Sequence, residues 1–380
     1  MEASVAIKKT STYELGEFSK KVEALVTLLG GIEKFVKPNS RILIKPNLLA
    51  AKPRESVVTT DPALVEAAII LVKKAGGRPV VGDSPGIGSA KKVAEKCGIM
   101  EVVEKHDAEF IELTTPVNVD NQSGRRFKRF VIAGEALKVD AIINLPKAKT
   151  HAQMYLTLGV KNLFGCIPGK RKVQWHMTAG LKTTHFADML LDLYMYLKPV
   201  LTILDGVVSM EGNGPGSGEP KKTGFLLAST DAVALDVIAA TILGARPDDV
   251  PTLKRAKALG VGTTNLEDIT ILGDSIEDVK VSGFVFPPLV STNFTEMLPN
   301  FLANPIRKAV SNRPHIETSR CALCNICVAV CPTEVMTNKN NMEIVIDYNG
   351  CIRCFCCQEM CPHNAISVKQ GFLKKILPGL

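Results

Sequence analysis

The sequence predicts an α/β fold with two parts: a large domain built on a mostly parallel sheet, and a small α+β domain near the C-terminus. Over roughly the first 280 residues, short apolar runs alternate with helical periods, which is typical of βαβ units. Further on, nine of the eleven cysteines fall between Cys321 and Cys361. The length of 380 residues also favours more than one domain.

Six apolar runs in the large domain are predicted to be strands, because they are short, apolar and bounded by turn residues. They are residues 41–47, 78–83, 139–146, 201–206, 224–229 and 268–274. Helices are predicted between them at 62–75, 89–106, 181–197 and 231–244. Asp61 and Pro62 form a helix-start signal, and Gly76 and Gly77 form a stop.

Composition shifts along the chain predict the domain boundaries. We expect the α/β domain at 1–281, a proline-rich connector at 282–314, the small domain at 315–370 and a tail at 371–380. Within the connector, residues 300–310 could form a short basic helix that packs between the two domains. Residues 342–347 are a strand candidate in the small domain.

The cysteine-rich segment contains an internal repeat. "CALCNICVAVCPTEVM" and "CIRCFCCQEMCPHNAI" align at an offset of thirty residues, and each contains C-x2-C-x2-C-x3-C-P. In this spacing three thiolates bind one iron–sulfur cube and the fourth reaches the other. We therefore predict two [4Fe–4S] clusters, the first held by Cys321, Cys324, Cys327 and Cys361, the second by Cys351, Cys354, Cys357 and Cys331.

Zinc and disulfides explain the pattern less well. Zinc sites use paired C-x2-C units, and disulfides require an oxidising compartment that nothing else in the chain indicates. Cys356 is the extra thiol, because its use in place of Cys357 would break the match between the two halves. We interpret it as a small apolar filler beside the cluster, with a redox or alternative-ligand role as the other hypothesis.

Residues 315–370 resemble a bacterial two-cluster ferredoxin domain, so the small domain is expected to be ferredoxin-like. The resemblance implies a glycine after the second cysteine of each motif, where the backbone turns tightly past the cluster. This chain has Asn325 and Phe355 there. Asparagine tolerates the left-handed backbone region and phenylalanine does so poorly, which leaves the geometry near Phe355 open. Phe355 could also shield its cluster from solvent.

Polar residues follow several predicted strands of the large domain. Because ligands bind at the carboxyl ends of strands in open parallel sheets, a site is expected at this edge. The candidates are Lys45 and Asn47, Asp83 and Ser84, Lys147, Lys149 and His151, and Asp205, Glu211 and Asn213. His151 and His176 could be ligands, bases or buried polar groups, and no nucleophile–histidine–acid set can be recognised from spacing.

The stretch between Asp140 and Asp188 has no acidic residue and carries seven positive charges. Such a stretch is either a solvated face or an anion site. The anion site is plausible because the charges alternate with glycine and apolar residues. The basic residues are Lys147, Lys149, Lys161, Lys170, Arg171, Lys172 and Lys182.

The large domain resembles a broad prokaryotic family known as DUF362. The motifs are "KPNLL", "GDSPG", "LPKAKTH", "GVKNLFG", "WH" and "DGVVSMEGNGP", in this order over roughly residues 3–280. A ferredoxin tail is a common companion in that family. Its function is uncharacterised, so the resemblance implies only which polar positions to test, including Lys147, Lys149, His151, Lys161 and Asn162.

Two functions remain open at this point. The leading hypothesis is an electron carrier, a ferredoxin module that docks on or is regulated by the α/β domain and exchanges electrons with redox partner proteins. The alternative is an iron–sulfur oxidoreductase whose α/β domain binds an anionic substrate or a phosphate-bearing cofactor. Nucleic-acid binding is not favoured, because "GKRKVQWH" forms no recognisable motif. With no signal peptide and no apolar run long enough for a membrane span, we expect a cytoplasmic protein.

Overall fold

The computed structural model describes residues 3–86, 88–169, 171–179, 183–288 and 311–370. Two regions of different size make up this part of the chain, a large α/β domain and a small C-terminal region, here called the C-terminal module (residues 311–370). The predicted helix at 300–310 and the tail at 371–380 lie outside the described residues.

The large domain contains twelve of the strands. They are β1 (Ala3–Lys9), β2 (Arg41–Pro46), β3 (Arg78–Asp83), β4 (Glu109–Glu112), β5 (Pro116–Asp120), β6 (Arg129–Ala133), β7 (Ala141–Leu145), β8 (Lys147–His151), β9 (Tyr155–Thr157), β10 (Leu201–Glu211), β11 (Glu219–Ser229) and β12 (Ile269–Gly273).

The helices of the large domain lie between these strands. They are α1 (Leu15–Thr27), α2 (Pro62–Lys74), α3 (Ala90–Cys97), α4 (Ile99–Lys105), α5 (Gly134–Leu137), α6 (Gly159–Asn162), α7 (Arg171–Ala179), α8 (Thr183–Leu197), α9 (Ala232–Leu243), α10 (Pro251–Leu259) and α11 (Ile276–Val279). Short 3-10 helices occur at Ile32–Lys34, Arg54–Ser56, Leu163–Cys166, Pro247–Asp249 and Leu266–Asp268.

The predicted strands and helices of the large domain are confirmed in kind, with differences at their ends. The predicted strand at 201–206 extends to Glu211 as β10, and that at 224–229 begins at Glu219 as β11. The predicted helix at 89–106 is divided into α3 and α4 because Gly98 adopts a left-handed conformation with φ of 84°. The N-cap at Asp61 is confirmed, since its side chain accepts a hydrogen bond from the Ala63 N–H.

The large sheet has ten strands, most of them parallel. Its order is β12-β1-β11-β10-β7-β2-β3-β4, with β8 beside β10 and β9 beside β8. Strands β10, β7, β2, β3 and β4 run parallel, whereas β11 is antiparallel to both β1 and β10. The carboxyl ends of β2, β3 and β7 therefore lie at one edge of the sheet, where the sequence predicted that the polar residues after these strands would meet.

Both faces of this sheet are covered, which is typical of a parallel sheet. Adjacent residues of β2 point to opposite faces, so Leu43 belongs to one apolar cluster while Ile42 and Ile44 belong to the other. Helices α8 and α9 contribute to the first cluster, and α1 and α2 contribute to the second. The site edge is therefore supported by two continuous cores.

The C-terminal module repeats its secondary structure at the thirty-residue offset of its cysteines. Strands β13 (Arg313–Ile316) and β14 (Met336–Lys339) of the first half correspond to β15 (Glu343–Ile346) and β16 (Ile366–Lys369) of the second. The short helices α12 (Ile326–Ala329) and α13 (Cys356–Glu359) also correspond, and a 3-10 helix lies at Thr318–Arg320.

Strand pairing in the module joins the two halves. Strand β13 pairs with β16 and β14 pairs with β15, so each two-stranded sheet takes one strand from each half. Pairing between the two halves in both sheets fits a pseudo-twofold axis that relates the two repeats. Strand β13 begins at Arg313, within the segment that the sequence indicated as a connector.

The module contacts the large domain through polar side chains of both. The buried Gln358 donates a hydrogen bond to the Asn213 carbonyl oxygen at 2.8 Å, and the Asn213 amide donates to the Ile366 carbonyl at 3.1 Å. Lys52 donates to the Asn364 side chain at 2.7 Å. A Cβ atom placed on Gly216 would lie 2.8 Å from the Glu359 carbonyl oxygen, so the backbones approach closely here.

Gly216→Ala is expected to destabilise the protein, because the added Cβ meets a backbone atom that cannot rotate away. The free energy of unfolding should fall by about 1–3 kcal/mol, as for other overpacked sites. Gly16→Ala is the matched control, because a Cβ on Gly16 of α1 meets nothing within 4 Å and helix propensity favours alanine. Chemical denaturation measures both, and equal stability of the two variants would contradict a close interface at Gly216.

Candidate functional site

Eight cysteines of the module surround two separate cavities. One cavity of about 350 Å³ is lined by Cys321, Cys324, Cys327 and Cys361, here called the outer quartet. The other, of about 320 Å³, is lined by Cys331, Cys351, Cys354 and Cys357, here called the inner quartet. The two sets are those that the sequence spacing predicted, with the fourth cysteine of each motif on the opposite cavity.

The donor chemistry of both cavities fits an iron–sulfur cube better than a single ion. Within the described residues, no three His, Cys, Asp or Glu side chains converge as one metal ion requires. The cysteines instead stand around a volume, four to each cavity. Burial and the nearby thiols Cys321, Cys361 and Cys324 raise the pKa of Cys327 to about 11, a penalty that a bound cation would remove.

The two quartets differ in their contact with solvent. Cys324 of the outer quartet is exposed, whereas Cys351, Cys354 and Cys357 of the inner quartet are buried. The inner quartet also lies beside the large domain, since Cys354 packs against Cys356, which lines the cavity described below. The repeated motifs therefore occupy unequal environments.

Asn325 and Phe355 both adopt the left-handed conformation that the family resemblance assigns to glycine. Their φ values are 60° and 62°. The turn is therefore preserved in both halves, although this conformation costs a phenylalanine roughly 1–2 kcal/mol. Phe355 is only 3% exposed and lines the inner cavity beside its four cysteines.

A third, larger cavity lies between the large domain and the module, and its free space of about 800 Å³ includes open solvent. Its walls come from the ends of β2 and β3, from β8 and β9, from α6 and α7, and from α13 of the module. The polar and ionisable residues that line it are Asn47, Asp83, Ser84, Lys149, Thr157, Lys161, Asn162, Lys172, His176, Cys356 and Glu359. We call it the interdomain cavity.

Lys149 is at the centre of a hydrogen-bonded network beneath this cavity. Its ammonium is fully buried and donates to the Asn47 side chain at 2.8 Å and to the Val58 carbonyl at 2.7 Å. Asn47 donates in turn to Asn162 at 3.0 Å, and Asn162 donates to Asn144 at 2.8 Å. The network fixes the carboxyl ends of β2 and β7 against α6 and β8.

Lys45 and Asp83 form a buried ion pair at the end of β3. Their closest atoms are 2.8 Å apart, and the other Asp83 oxygen accepts a hydrogen bond from the Leu48 N–H at 2.7 Å. A Cβ atom on Gly165 would lie 1.9 Å from this carboxylate, so only glycine allows the chain after α6 to pass here. Asp83 therefore has its charge compensated before any ligand binds.

His151 contacts the module directly. Its Nδ1 accepts hydrogen bonds from the N–H groups of Gln153 and Met154, which leaves the proton on Nε2. Nε2 lies 2.6 Å from Oε1 of Glu359, although neither atom meets full hydrogen-bond geometry. Burial opposes ionisation of Glu359, but His151 and Lys161 outweigh it and hold the pKa of this carboxyl well below its usual range.

Three lysines of the interdomain cavity lack a carboxylate partner in the described part of the chain. Burial lowers the pKa of Lys149 far below its usual value, lowers that of Lys161, and brings that of Lys172 to about 7. Lys172 donates to the Ile167 carbonyl, and Lys161 makes no hydrogen bond among the described residues. Burial therefore disfavours the charged form of these lysines, and a bound anion would favour it.

His176 and Thr157 add buried polar atoms without a partner. The Nδ1 of His176 and the Oγ1 of Thr157 form no hydrogen bond with any residue that the structure describes, and each residue is 4% exposed. His176 stacks on Phe186 with ring centroids 4.3 Å apart. Unpaired buried polar atoms are costly, and a bound ligand or water is the usual explanation.

The structure divides the candidate residues of the sequence into groups. Lys45, Asn47, Asp83, Lys149, His151, Lys161, Asn162 and His176 line or adjoin the interdomain cavity. Lys147 and Asp205 instead pair with each other at 2.8 Å in a buried network with Tyr13, and Glu211 pairs with Lys221. Lys147, Asp205 and Glu211 therefore have partners of their own and are not among the residues that line the interdomain cavity. Their part in a ligand site stays a prediction.

Three cavity residues were missed as site candidates from the sequence: Thr157, Cys356 and Glu359. Lys172 also lines the cavity, and it belongs to the acid-free stretch for which an anion site was one interpretation. Nothing local in the sequence indicates Cys356 or Glu359, because their role depends on how the module meets the large domain. Cys356 lines neither cysteine cavity, and its contacts with Cys354 and Val330 fit the apolar interpretation only in part.

The site and fold define an iron–sulfur protein with a large α/β domain. Comparison with known families places it more closely, because residues 42–241 match the family described as "Domain of unknown function (DUF362)" and residues 313–362 match a 4Fe–4S dicluster domain. The chain belongs to the DUF362 family. No described helix is long and apolar enough to cross a bilayer.

Curated relatives support the same assignment. The chain is 40% identical over 267 residues to Thylakoid-associated protein sll1697 of Synechocystis, covering 70% of this chain and 83% of that protein. It is 34% identical over 55 residues to pyruvate synthase subunit PorD of Methanocaldococcus jannaschii, covering 14% of this chain and 64% of that subunit. Among solved structures, the lactate racemase apoprotein of Thermoanaerobacterium thermosaccharolyticum aligns with 64% of this chain and 57% of its own at 9% identity and a TM-score of 0.43.

Acidification is expected to destabilise the protein through its buried histidines. Burial lowers the pKa of His151 to about 4 and that of His176 to about 3, below the ordinary value of 6.5. Unfolding therefore takes up protons as the pH falls below 6.5, so the free energy of unfolding decreases by up to about 1.4 kcal/mol per pH unit for each histidine. His176→Phe should reduce this slope between pH 6.5 and 5 in denaturation experiments. The partly exposed His315→Gln is the control, and equal slopes in wild type and His176→Phe would count against a neutral buried His176.

Proposed function

We propose that this iron–sulfur protein is an oxidoreductase that acts on an anionic small molecule bound in the interdomain cavity. The observation that carries the proposal is the set of three lysines without carboxylate partners, in a cavity whose wall includes Cys356, beside the inner quartet. Pockets that combine apolar walls with a few convergent polar groups are typical of small-molecule sites.

The eight cysteines of the two quartets would hold two [4Fe–4S] clusters, one in the outer and one in the inner quartet. Bound there, the clusters supply one-electron transfer. The exposed Cys324 makes the outer quartet the accessible side for a redox partner protein. The inner quartet lies on the side of the interdomain cavity.

The large domain would bind and orient the ligand. Lys161 is the best placed cation, because it lines the cavity without a hydrogen-bond partner among the described residues. Lys149 adds positive charge from below, held in place by Asn47 and the Val58 carbonyl. Leu48, Phe164 and other apolar wall residues exclude water, which strengthens these electrostatic interactions.

A second candidate function is that of an electron carrier without a substrate of its own. The hydrogen bonds from Gln358 to Asn213 and from Lys52 to Asn364 favour the electron carrier, because they are what a module docked on a supporting domain would form. A carrier has no need for a fully buried lysine such as Lys149, which has no carboxylate partner in the described chain and weakens the folded state. The cavity therefore favours the oxidoreductase. We also propose a cytoplasmic location for the protein, whichever of the two functions it has.

Iron analysis tests the cluster assignment. Protein reconstituted anaerobically is expected to contain about eight iron and eight sulfide ions per chain, since each cube holds four of each. Cys324→Ser and Cys354→Ser should each reduce the iron content to about half, because each removes a ligand of a different quartet. Cys356→Ser is the matched control and should retain the full content. Wild-type iron well below eight, or a halved content in Cys356→Ser, would refute the assignment.

Ligand binding separates the two candidate functions. Anaerobic calorimetry with inorganic phosphate and with succinate should detect binding of at least one of these anions. Lys161→Met should weaken that binding by about 10- to 100-fold, the effect of removing one charge-assisted hydrogen bond. Lys254→Met, an exposed lysine on α10, is the control and should bind as wild type does. No binding of either anion by wild type would leave the electron carrier as the supported function.

A further inference from the structure

We propose that the C-terminal module forms part of the ligand site itself, with the thiol of Cys356 in contact with the anion that Lys161 holds. The proposal rests on the proposed function, because it requires an anion in the interdomain cavity. It assigns a role to the one cysteine of the repeat that lines neither cysteine cavity. The ligand would be a carboxylate or a phosphate monoester that also carries an apolar group.

The position of Cys356 on α13 is the first support. Cys356 and Glu359 are three residues apart, so they lie on the same face of the helix, and both line the interdomain cavity. The next residue, Cys357, lines the inner cavity instead. One short helix thus presents one cysteine to the cluster site and another to the ligand site.

The charges opposite this face are the second support. Lys161, Glu359 and Cys356 all line the interdomain cavity, so the lysine borders the same space as this side of α13. His151 already lies 2.6 Å from Glu359 and engages its carboxylate. Lys161 is therefore left to bind a group that comes from outside the chain.

The unpartnered polar atoms are an independent support. Thr157 Oγ1 and His176 Nδ1 belong to buried residues of the cavity wall, and neither forms a hydrogen bond within the described part of the chain. A hydroxyl and a ring nitrogen can pair with the oxygens of an anion, and the thiol of Cys356 can add a weak donor. A cavity without a ligand would not explain why these polar atoms are buried with no hydrogen-bond partner among the described residues.

The remaining walls indicate the rest of the ligand. Phe164, Leu48 and Met360 line the cavity with apolar surface, and Val330 adds to it from the module. A purely polar anion would leave this surface in contact with water. An aryl or alkyl group on the anion would cover it, so such ligands should bind more tightly than inorganic phosphate.

Access to the Cys356 thiol tests the proposal on the holoprotein under anaerobic conditions. Phenyl phosphate is the probe, its affinity is measured by calorimetry, and mass spectrometry follows alkylation of Cys356 by iodoacetamide. Saturating phenyl phosphate should slow alkylation at least 10-fold in wild type, and Lys161→Met should remove this protection at the same probe concentration. Unchanged alkylation while the probe is bound would overturn the proposal and leave the proposed function standing.

A substitution that fills the cavity tests the same contact without alkylation. Cys356→Phe should weaken phenyl phosphate binding at least 10-fold while the iron content stays at the wild-type value, and the control Lys254→Met should bind the probe as wild type does. Wild-type affinity in Cys356→Phe would overturn the contact. Failure of wild type to bind phenyl phosphate, inorganic phosphate or succinate would instead overturn the proposed function, and the contact with it.

Discussion

The fully buried ammonium of Lys149 is the constraint on which the site depends. No carboxylate is paired with it in the described chain, and its charge is stabilised by the Asn47 side chain and the Val58 carbonyl. Because burying an unpaired charge is expensive, these acceptors must stay in place. Asn47 is fixed in turn by Asn162, so one charge organises three separate segments at the sheet edge. The positions of the cavity walls follow from this network.

The module contributes a carboxylate to the charges of the interdomain cavity. The Asp83 carboxylate is already paired with Lys45, so the large domain by itself contributes lysines to the cavity and little negative charge to compensate them. Glu359 is the carboxylate that the module adds, and it lies against His151. The contact between the two regions is therefore also a charge contact, and it places the cysteine-bearing helix α13 at the ligand cavity.

Much of this arrangement could be predicted from the sequence because it depends on short-range patterns. The cysteine repeat predicted two quartets, and strand periodicity placed Asn47 and Asp83 at the same edge of a parallel sheet. Strand β8 was not predicted, because "KAKTH" is polar and is buried only through the network around Lys149. The pairing of His151 with Glu359 was also beyond reach, since more than two hundred residues separate them and no local pattern encodes how two folded units meet.

The unequal burial of the two quartets has a consequence for how the protein matures. Cys324 stays open to solvent in the assembled structure, so iron and sulfide can reach the outer quartet after the chain has folded. The cysteines Cys351, Cys354 and Cys357 are buried, and the residues that line their cavity all belong to the module. We therefore expect metal insertion to follow an order, in which the inner quartet is filled while the module itself folds and the outer quartet can be filled later. The two quartets of one duplicated motif would then receive their clusters at different stages of folding, because their surroundings differ.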